Sequence, residues 1–304
     1  MSTKSAFIAL VGRPNVGKSS LMNRLLGAKV AIVSDKPQTT RTRIMGVLTE
    51  GESQFVFIDT PGLHRPRNKL GESMVRAVGE SVGDVDVCVL VVDASEWEQS
   101  RGPAPAEREL IDRFRKDKLP AVLVLNKIDL LPDRTRLLGA ITAYSSLFDF
   151  AAVVPLSART GDGAGALIDE LRPFAGEGPH FFADDSLTDQ SERALAAEII
   201  REKLLRRLSH EVPHGIAVGI EKFADGKTRE GADLLDVEAV VYCEQESHKG
   251  IVIGKGGAML KTVSTQARVE MERFFGCKVN LRCWVKVKED WRNRPGLIHQ
   301  FGLD

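Results

Sequence analysis

Eight residues near the N-terminus constrain this chain more than any other feature. Gly12-Arg13-Pro14-Asn15-Val16-Gly17-Lys18-Ser19 follows the spacing G-x-x-x-x-G-K-[ST], directly after the apolar run 7–11 and before the helical stretch 21–26. A strand feeding a glycine-rich turn and then a helix aims successive backbone N–H groups, and the positive end of the helix, at phosphate oxygens. Lys18 is placed to reach the β- and γ-phosphates, and Ser19 to offer its hydroxyl to Mg²⁺. Such a loop requires an α/β sheet around it. Short, nearly continuous apolar runs at 55–58, 85–92, 121–125 and 152–156 supply the strands, with helical patterns at 108–114 and 167–171 between them. Strands of that kind are buried on both faces, so residues 1–175 are expected to form a doubly wound, mostly parallel α/β domain.

Three further motifs stand at strand ends, where open α/β sheets bind ligands. Asn126-Lys127-Ile128-Asp129 closes the run 121–125. A carboxylate at Asp129 can accept both N–H groups that guanine presents at N1 and N2, a pair adenine lacks, while Asn126 and the stem of Lys127 are expected to brace the ring. Asp59-Thr60-Pro61-Gly62 ends an earlier strand. It puts Asp59 where Mg²⁺ is held, and the Gly62 N–H where it can meet a γ-phosphate. Ser157-Ala158 follows the last strand, its N–H groups in reach of the guanine O6.

The four elements in this order resemble the translation-factor-like GTPases. By that resemblance Gln38-Thr39-Thr40-Arg41 is the first switch, with Thr40 closing over Mg²⁺ and Thr39 as the alternative. Where Ras-like proteins carry a water-orienting Gln after DxxG, this chain has Leu63, which has no group to do so. It therefore resembles the GTPases with a hydrophobic residue in that place, several of which use a K⁺ ion beside the phosphates, and Asn15 with carbonyls of residues 34–38 resembles such a site. Lys18, Thr40 and Gly62 are the residues expected to act in hydrolysis. Arg13, Arg41 and Arg43 are alternatives as internal fingers.

The composition changes after Arg172. Pro173, Gly176, Gly178, Pro179 and the acidic pair Asp184-Asp185 read as a linker over 176–190. A helix is expected from about Ser191, with Asp189 and Glu192 forming a capping box. Period-two runs follow at 216–220 and 237–243, then an apolar, strand-like Ile251-Val252-Ile253, the loop Gly254-Lys255-Gly256-Gly257, a helix to about Phe275, and an alternating strand over 279–287. The loop matches the GxxG of KH domains, which clamps a nucleic-acid backbone. The order of elements is that of a type II KH fold, expected over 191–290 with a tail at 291–304. Gly254, Lys255, Gly256, Gly257 and Lys261 are the expected RNA contacts, joined by Arg282 and Lys286 on an outward basic ribbon that also carries Trp284.

GRPNVGKSS, QTTR, DTPGL, NKID, EIIREKLL, VIGKGG and WVKVK together resemble the bacterial Era family of GTPases, over nearly the whole chain. That resemblance implies a GTP/GDP switch in small ribosomal subunit assembly. Its KH domain is expected to bind the 3′ end of small-subunit ribosomal RNA, and the protein to be cytoplasmic, with further peripheral contact at the inner face of the cell membrane; a membrane-associated GTPase with a regulatory rather than an RNA-assembly role is the alternative. Nothing in the pattern suggests a dimer. Four cysteines form no CxxC pair, which argues against a metal cluster or a disulfide framework. The 42 basic and 42 acidic residues balance, which taken alone speaks against a nucleic-acid binder. The balance is not local, however. Residues 184–246 hold 8 basic and 15 acidic residues, and 248–294, with the GKGG loop, hold 11 and 4. Attraction to phosphate acts within a Debye length of about 8–10 Å, so only the local sign matters.

Overall fold

The computed structural model describes residues 2–303, apart from 63–65, 67, 84, 99–101 and 134. The chain divides into two compact units. The first comprises residues 1–31, 40–66 and 71–189. The second comprises 32–39, 67–70 and 190–304.

The elements of the first unit are β1 (Lys4–Val11), α1 (Lys18–Leu26), β2 (Ile44–Glu50), β3 (Ser53–Asp59), α2 (Lys69–Gly83), β4 (Val87–Asp93), α3 (Pro105–Asp117), β5 (Ala121–Asn126), α4 (Arg136–Ser145), β6 (Ala152–Pro155), α5 (Ala164–Leu171) and the short β7 (Gly176–Glu177). The sheet order is β2-β3-β1-β4-β5-β6. β2 runs antiparallel to β3, and β1, β3, β4, β5 and β6 pair in parallel. Both faces of the sheet are covered, which is why its strands read as unbroken apolar runs. In β1, Ala6, Ile8 and Leu10 enter one core with α1 and α5, while Ala9 and Val11 enter the other with α3 and α4.

Residues 176–190 do not form a free linker. β7 pairs antiparallel with β1, the Val47 N–H donates to the Leu187 carbonyl, and Gln54 holds the backbone of Phe181 and Phe182. Strands β1, β3 and β2 thus satisfy backbone groups of this segment. Asp189 accepts from the Met45 N–H at 3.1 Å, and Ser191 instead caps the next helix through the Ala194 N–H.

The second unit contains α6 (Glu192–Arg207), β8 (Ala217–Lys227), β9 (Asp233–Cys243), α7 (Glu246–Ile253), α8 (Ala258–Phe275), β10 (Lys278–Val287) and α9 (Pro295–Gln300). Its sheet has the order β10-β9-β8, with β10 parallel to β9 and β8 antiparallel to it. α6 and α8 pack on one face around Ile200, Leu204, Val237, Val241, Val263 and Met271. Residues 251–253 close the helix α7 rather than a strand. The tail is also part of this unit. Trp291 is fully buried and donates from Nε1 to the Gly215 carbonyl at 2.9 Å, and Phe301 packs on Tyr242 and Trp291. Among the described residues no helix is long and apolar enough to cross a membrane, and no His/Cys/Asp/Glu group of three could hold a metal ion.

Candidate functional sites

The ends of β1, β3 and β5 and the turn after β6 bring the first set of predicted residues together. The loop after β1 runs 12–17 and delivers Lys18 as the first residue of α1. Lys18 is buried, and its Nζ donates to the carbonyls of Gly12 at 3.1 Å and Arg13 at 3.0 Å. Burial lowers its pKa to about 8, opposed by the nearby charge of Asp59. Gly62 must be glycine, because a Cβ there would stand 2.6 Å from the Pro14 backbone. Leu63 lies outside the described residues. Asn15 is exposed, in left-handed backbone at φ 63°.

Three oxygen-bearing side chains converge beside Lys18. Ser19 Oγ donates to Asp59 Oδ2 at 2.5 Å. Thr40 Oγ1 lies 3.0 Å from Ser19 Oγ and donates to Asp59 Oδ2 at 3.2 Å. Asp59 is fully buried. Burial raises its pKa, and Lys18 and the Ser19 and Thr40 hydroxyls pull it back. Its Oδ1 is buried with no partner among the described residues. One carboxylate with an unused oxygen and two hydroxyls is a donor set for a hard divalent cation such as Mg²⁺. Thr39 points elsewhere: its Oγ1 donates to the Lys36 carbonyl and meets Ser34 Oγ. Thr60 is a strand fastener, donating to the Leu10 carbonyl at 2.8 Å.

The base-side motifs also meet. Asn126 is buried, and its Nδ2 donates to the Val16 carbonyl at 2.8 Å. Its Oδ1 accepts from the N–H groups of Lys127 at 2.8 Å and Ala158 at 3.0 Å. It fastens the phosphate loop to the Ser157-Ala158 turn. Lys127, at φ 66°, is ion-paired with buried Asp93 at 2.5 Å. Asp129 Oδ1 accepts from Ser157 Oγ at 2.7 Å, which orients the carboxylate.

The sequence reading missed Glu107. It is buried on α3, accepts from Arg13 Nε at 2.7 Å, from the Ala104 N–H at 2.7 Å and from the Tyr144 hydroxyl at 2.6 Å. Arg13 is thereby committed to this carboxylate and not left loose as a finger. Pro105 followed by Glu107 does signal a helix start, but not the contact with Arg13 across 94 positions.

In the second unit α7 and α8 meet at the GKGG loop, with φ values of 73° at Gly254, 59° at Gly256 and 78° at Gly257. All three lie in the left-handed region, which opens the backbone without a Cβ penalty. Lys255 and Lys261 are exposed and make no ion pair among the described residues. Ile251, 49% exposed, offers apolar surface just before the loop. The outward face of β10 differs from the ribbon expected of it. Arg282 pairs with Asp236 at 3.2 Å and Glu238 at 2.9 Å, and Lys286 with Glu221 at 2.9 Å. That face is a ladder of opposite charges, with Trp284 43% exposed among them.

A guanine-nucleotide P-loop unit joined in one chain to a KH-type unit is the class that fold and site define. The family model described as 50S ribosome-binding GTPase matches residues 7–127, and that described as KH domain matches 211–292. The chain is 48% identical over 301 residues to the GTPase Era of Clostridioides difficile, covering 99% of each. It is 46% identical to that of Ruminiclostridium cellulolyticum, covering 99% of this chain and 98% of the relative. Two solved Era structures superpose with a TM-score of 0.92 at 37% identity over 99% of both chains. One holds MgGDPNP and nucleotides 1506–1542 of 16S ribosomal RNA. The other is a point variant of the Aquifex aeolicus Era bound to GDP·AlF4⁻. The chain belongs to the Era family of GTPases.

Proposed function

We propose that this GTPase is a cytoplasmic, monomeric switch that binds the 3′ end of small-subunit ribosomal RNA through its KH unit and acts in small ribosomal subunit assembly. The observation that carries the reading is the pairing, in one chain, of the P-loop, Asp59 and Asn126–Asp129 cluster with an exposed GKGG loop whose Lys255 and Lys261 have no acidic partner among the described residues. An Era chain similar over its whole length has been crystallised with 16S ribosomal RNA, which supports the choice of RNA.

Within the nucleotide site Lys18 neutralises β- and γ-phosphate charge, and Asp129, oriented by Ser157, selects guanine. Ser19, Thr40 and Asp59 hold Mg²⁺, which when bound neutralises charge on the phosphate oxygens. Thr40 is the member that depends on the γ-phosphate, because it arrives from the loop before β2 rather than from the phosphate loop. The Gly62 N–H meets the same phosphate. Leu63 carries no group to orient water, so we assign the electrostatic share of an arginine finger to K⁺ at Asn15. Equal hydrolysis rates in K⁺ and Na⁺ buffers contradict that assignment.

The decisive experiment measures binding of an oligonucleotide of the rRNA 3′ end with GDPNP and with GDP, in the wild type and in Lys255→Asp/Gly256→Asp. The acidic loop should abolish RNA binding and leave nucleotide binding intact, and the wild type should prefer one nucleotide state. RNA affinity unchanged by the double variant refutes the KH assignment. Equal affinity in both nucleotide states refutes the switch.

A further inference from the structure

Lys127 follows the last residue of β5 with φ 66°, in the left-handed region. Glycine enters that region freely and asparagine more readily than most residues, so a lysine there serves through its side chain rather than its backbone. That side chain is held at both ends. At the near end, the Lys127 N–H donates to Asn126 Oδ1 at 2.8 Å and its carbonyl accepts from the Leu130 N–H at 3.0 Å. At the far end, Nζ donates to Asp93 Oδ2 at 2.5 Å. Between the two anchors lies only the apolar stem. The side chain is 29% exposed, two positions before Asp129, so the stem is in reach of a ligand.

Asp93 ends β4, a strand in which all seven residues are buried. It is 2% exposed and stands opposite Asn126 in the register of β4 and β5. A carboxylate taken out of water is costly unless its oxygens are matched. Oδ1 accepts from the Ser95 N–H at 2.9 Å and from Ser95 Oγ at 2.6 Å, which caps the short turn 94–96. A neutral asparagine or serine caps a turn equally well. Capping therefore does not account for the charge, and the ion pair of Oδ2 with Lys127 does.

We propose that Asp93 is a positioning residue for guanine-nucleotide binding. By holding Lys127 Nζ it lays the lysine stem out as a fixed apolar platform for the flat face of the base. Lysine stems cover apolar surface while the charged head keeps its polar partner, so the pair and the platform are compatible. A lysine without that anchor has to be ordered when the base arrives, and affinity falls by the cost of ordering it. The proposal rests on the assignment of Asn126, Lys127 and Asp129 to guanine made above.

The test is a double-mutant cycle on the full chain, with GDP and GDPNP binding measured by calorimetry in wild type, Asp93→Asn, Lys127→Met and the double variant. Asp93→Asn keeps an oxygen for Ser95 and turns an amide N–H₂ toward the ammonium, so it removes the anchor and keeps the cap. It should weaken GDP and GDPNP binding by one common factor of about 3–10, the ordering cost of one long side chain. In the Lys127→Met background there is no ammonium to hold, and the same substitution should change affinity by less than about twofold. An equal loss in both backgrounds, no loss in wild type, or a loss confined to one nucleotide overturns the proposal. If Asp93→Asn fails to fold, Lys127→Met decides, because it keeps an apolar stem and removes only the anchored end. GDP affinity equal to wild type there overturns the proposal, and a fall of about 3–10-fold supports it. Asp129→Asn, with GDP and XDP in competition, separates the two readings. Retained guanine preference overturns the guanine assignment and this proposal with it. A shift toward xanthine, with no coupling between Asp93 and Lys127, overturns the role of Asp93 alone.

Discussion

Replacing Asn126 tests whether one side chain holds the walls of the nucleotide site together. Its Nδ2 supplies the Val16 carbonyl, and its Oδ1 serves the N–H groups of Lys127 and Ala158, at distances of 2.8, 2.8 and 3.0 Å. With the residue only 1% exposed, Asn126→Ala removes three hydrogen bonds and strands three backbone groups. Each bond is worth about 1 kcal/mol net, and a stranded buried group costs about 1–3 kcal/mol. Water can reach the half-buried Lys127, so the expected loss is about 3 kcal/mol rather than the full sum. Hydrogen exchange of the nucleotide-free protein should register it locally, as roughly 100-fold faster exchange in peptides spanning 12–20 and 156–162. Affinities for GDP and GDPNP should fall by one common factor, because both nucleotides use the same two loops. Asn126→Asp keeps both acceptor contacts but turns a carboxylate oxygen toward the Val16 carbonyl, so its exchange should rise mainly in 12–20. Unchanged exchange without nucleotide, together with lost affinity, would mean that Asn126 acts on the ligand itself and would refute the fastening role.

Asp129→Asn should shift preference from guanine toward xanthine nucleotides, because it exchanges one acceptor for a donor; competition between GDP and XDP measures this, and a retained guanine preference contradicts the role. His180 bonds Asp184 at 2.6 Å and the Glu52 carbonyl at 3.1 Å, which raises its pKa. Its stabilisation is therefore complete below the unfolded value of about 6.5 and is lost as pH rises through the folded value. The Tm difference between wild type and His180→Gln should be largest near pH 5.5 and shrink toward about pH 8.5; a difference that grows with pH contradicts the pairing.

The nucleotide site was legible because phosphate and guanine recognition use short contiguous segments at strand ends, and each segment carries its own residue types. What stayed hidden depends on contacts between distant positions. Glu107 meets Arg13 and Tyr144 across 94 and 37 positions, and no local pattern marks a glutamate as buried. Ile251-Val252-Ile253 has the composition of a strand, but three β-branched residues cannot separate a strand from the last turn of a helix. Packing of α7 against α8 and β10 decided it. The glycine- and proline-rich stretch 176–190 has the composition of a linker, and contacts with the distant strands β1, β3 and β2 make it structured. Asp189 has the chemistry of a cap, and the nearby Met45 N–H claimed it first.

The neutral total charge has a structural counterpart that bears on RNA affinity. The acidic stretch 184–246 and the basic stretch 248–294 meet in one sheet, where Asp236, Glu238 and Glu221 pair with Arg282 and Lys286. Charges already matched by carboxylates release few counterions when a phosphate approaches, whereas Lys255 and Lys261 have no such partner among the described residues. For single strands the slope of log affinity against log salt is about −0.7 per phosphate neutralised. Two lysines at the clamp therefore predict a side-chain contribution of about −1.4, against about −2.8 if Arg282 and Lys286 also engaged phosphates. Salt titrations of the rRNA 3′-end oligonucleotide with Lys255→Ala and Arg282→Ala separate the two. Lys255→Ala should flatten the slope by about 0.7 and Arg282→Ala should leave it unchanged. A slope that flattens with Arg282→Ala would place the RNA on the outer face of the sheet, and Trp284 would then stand among the bases.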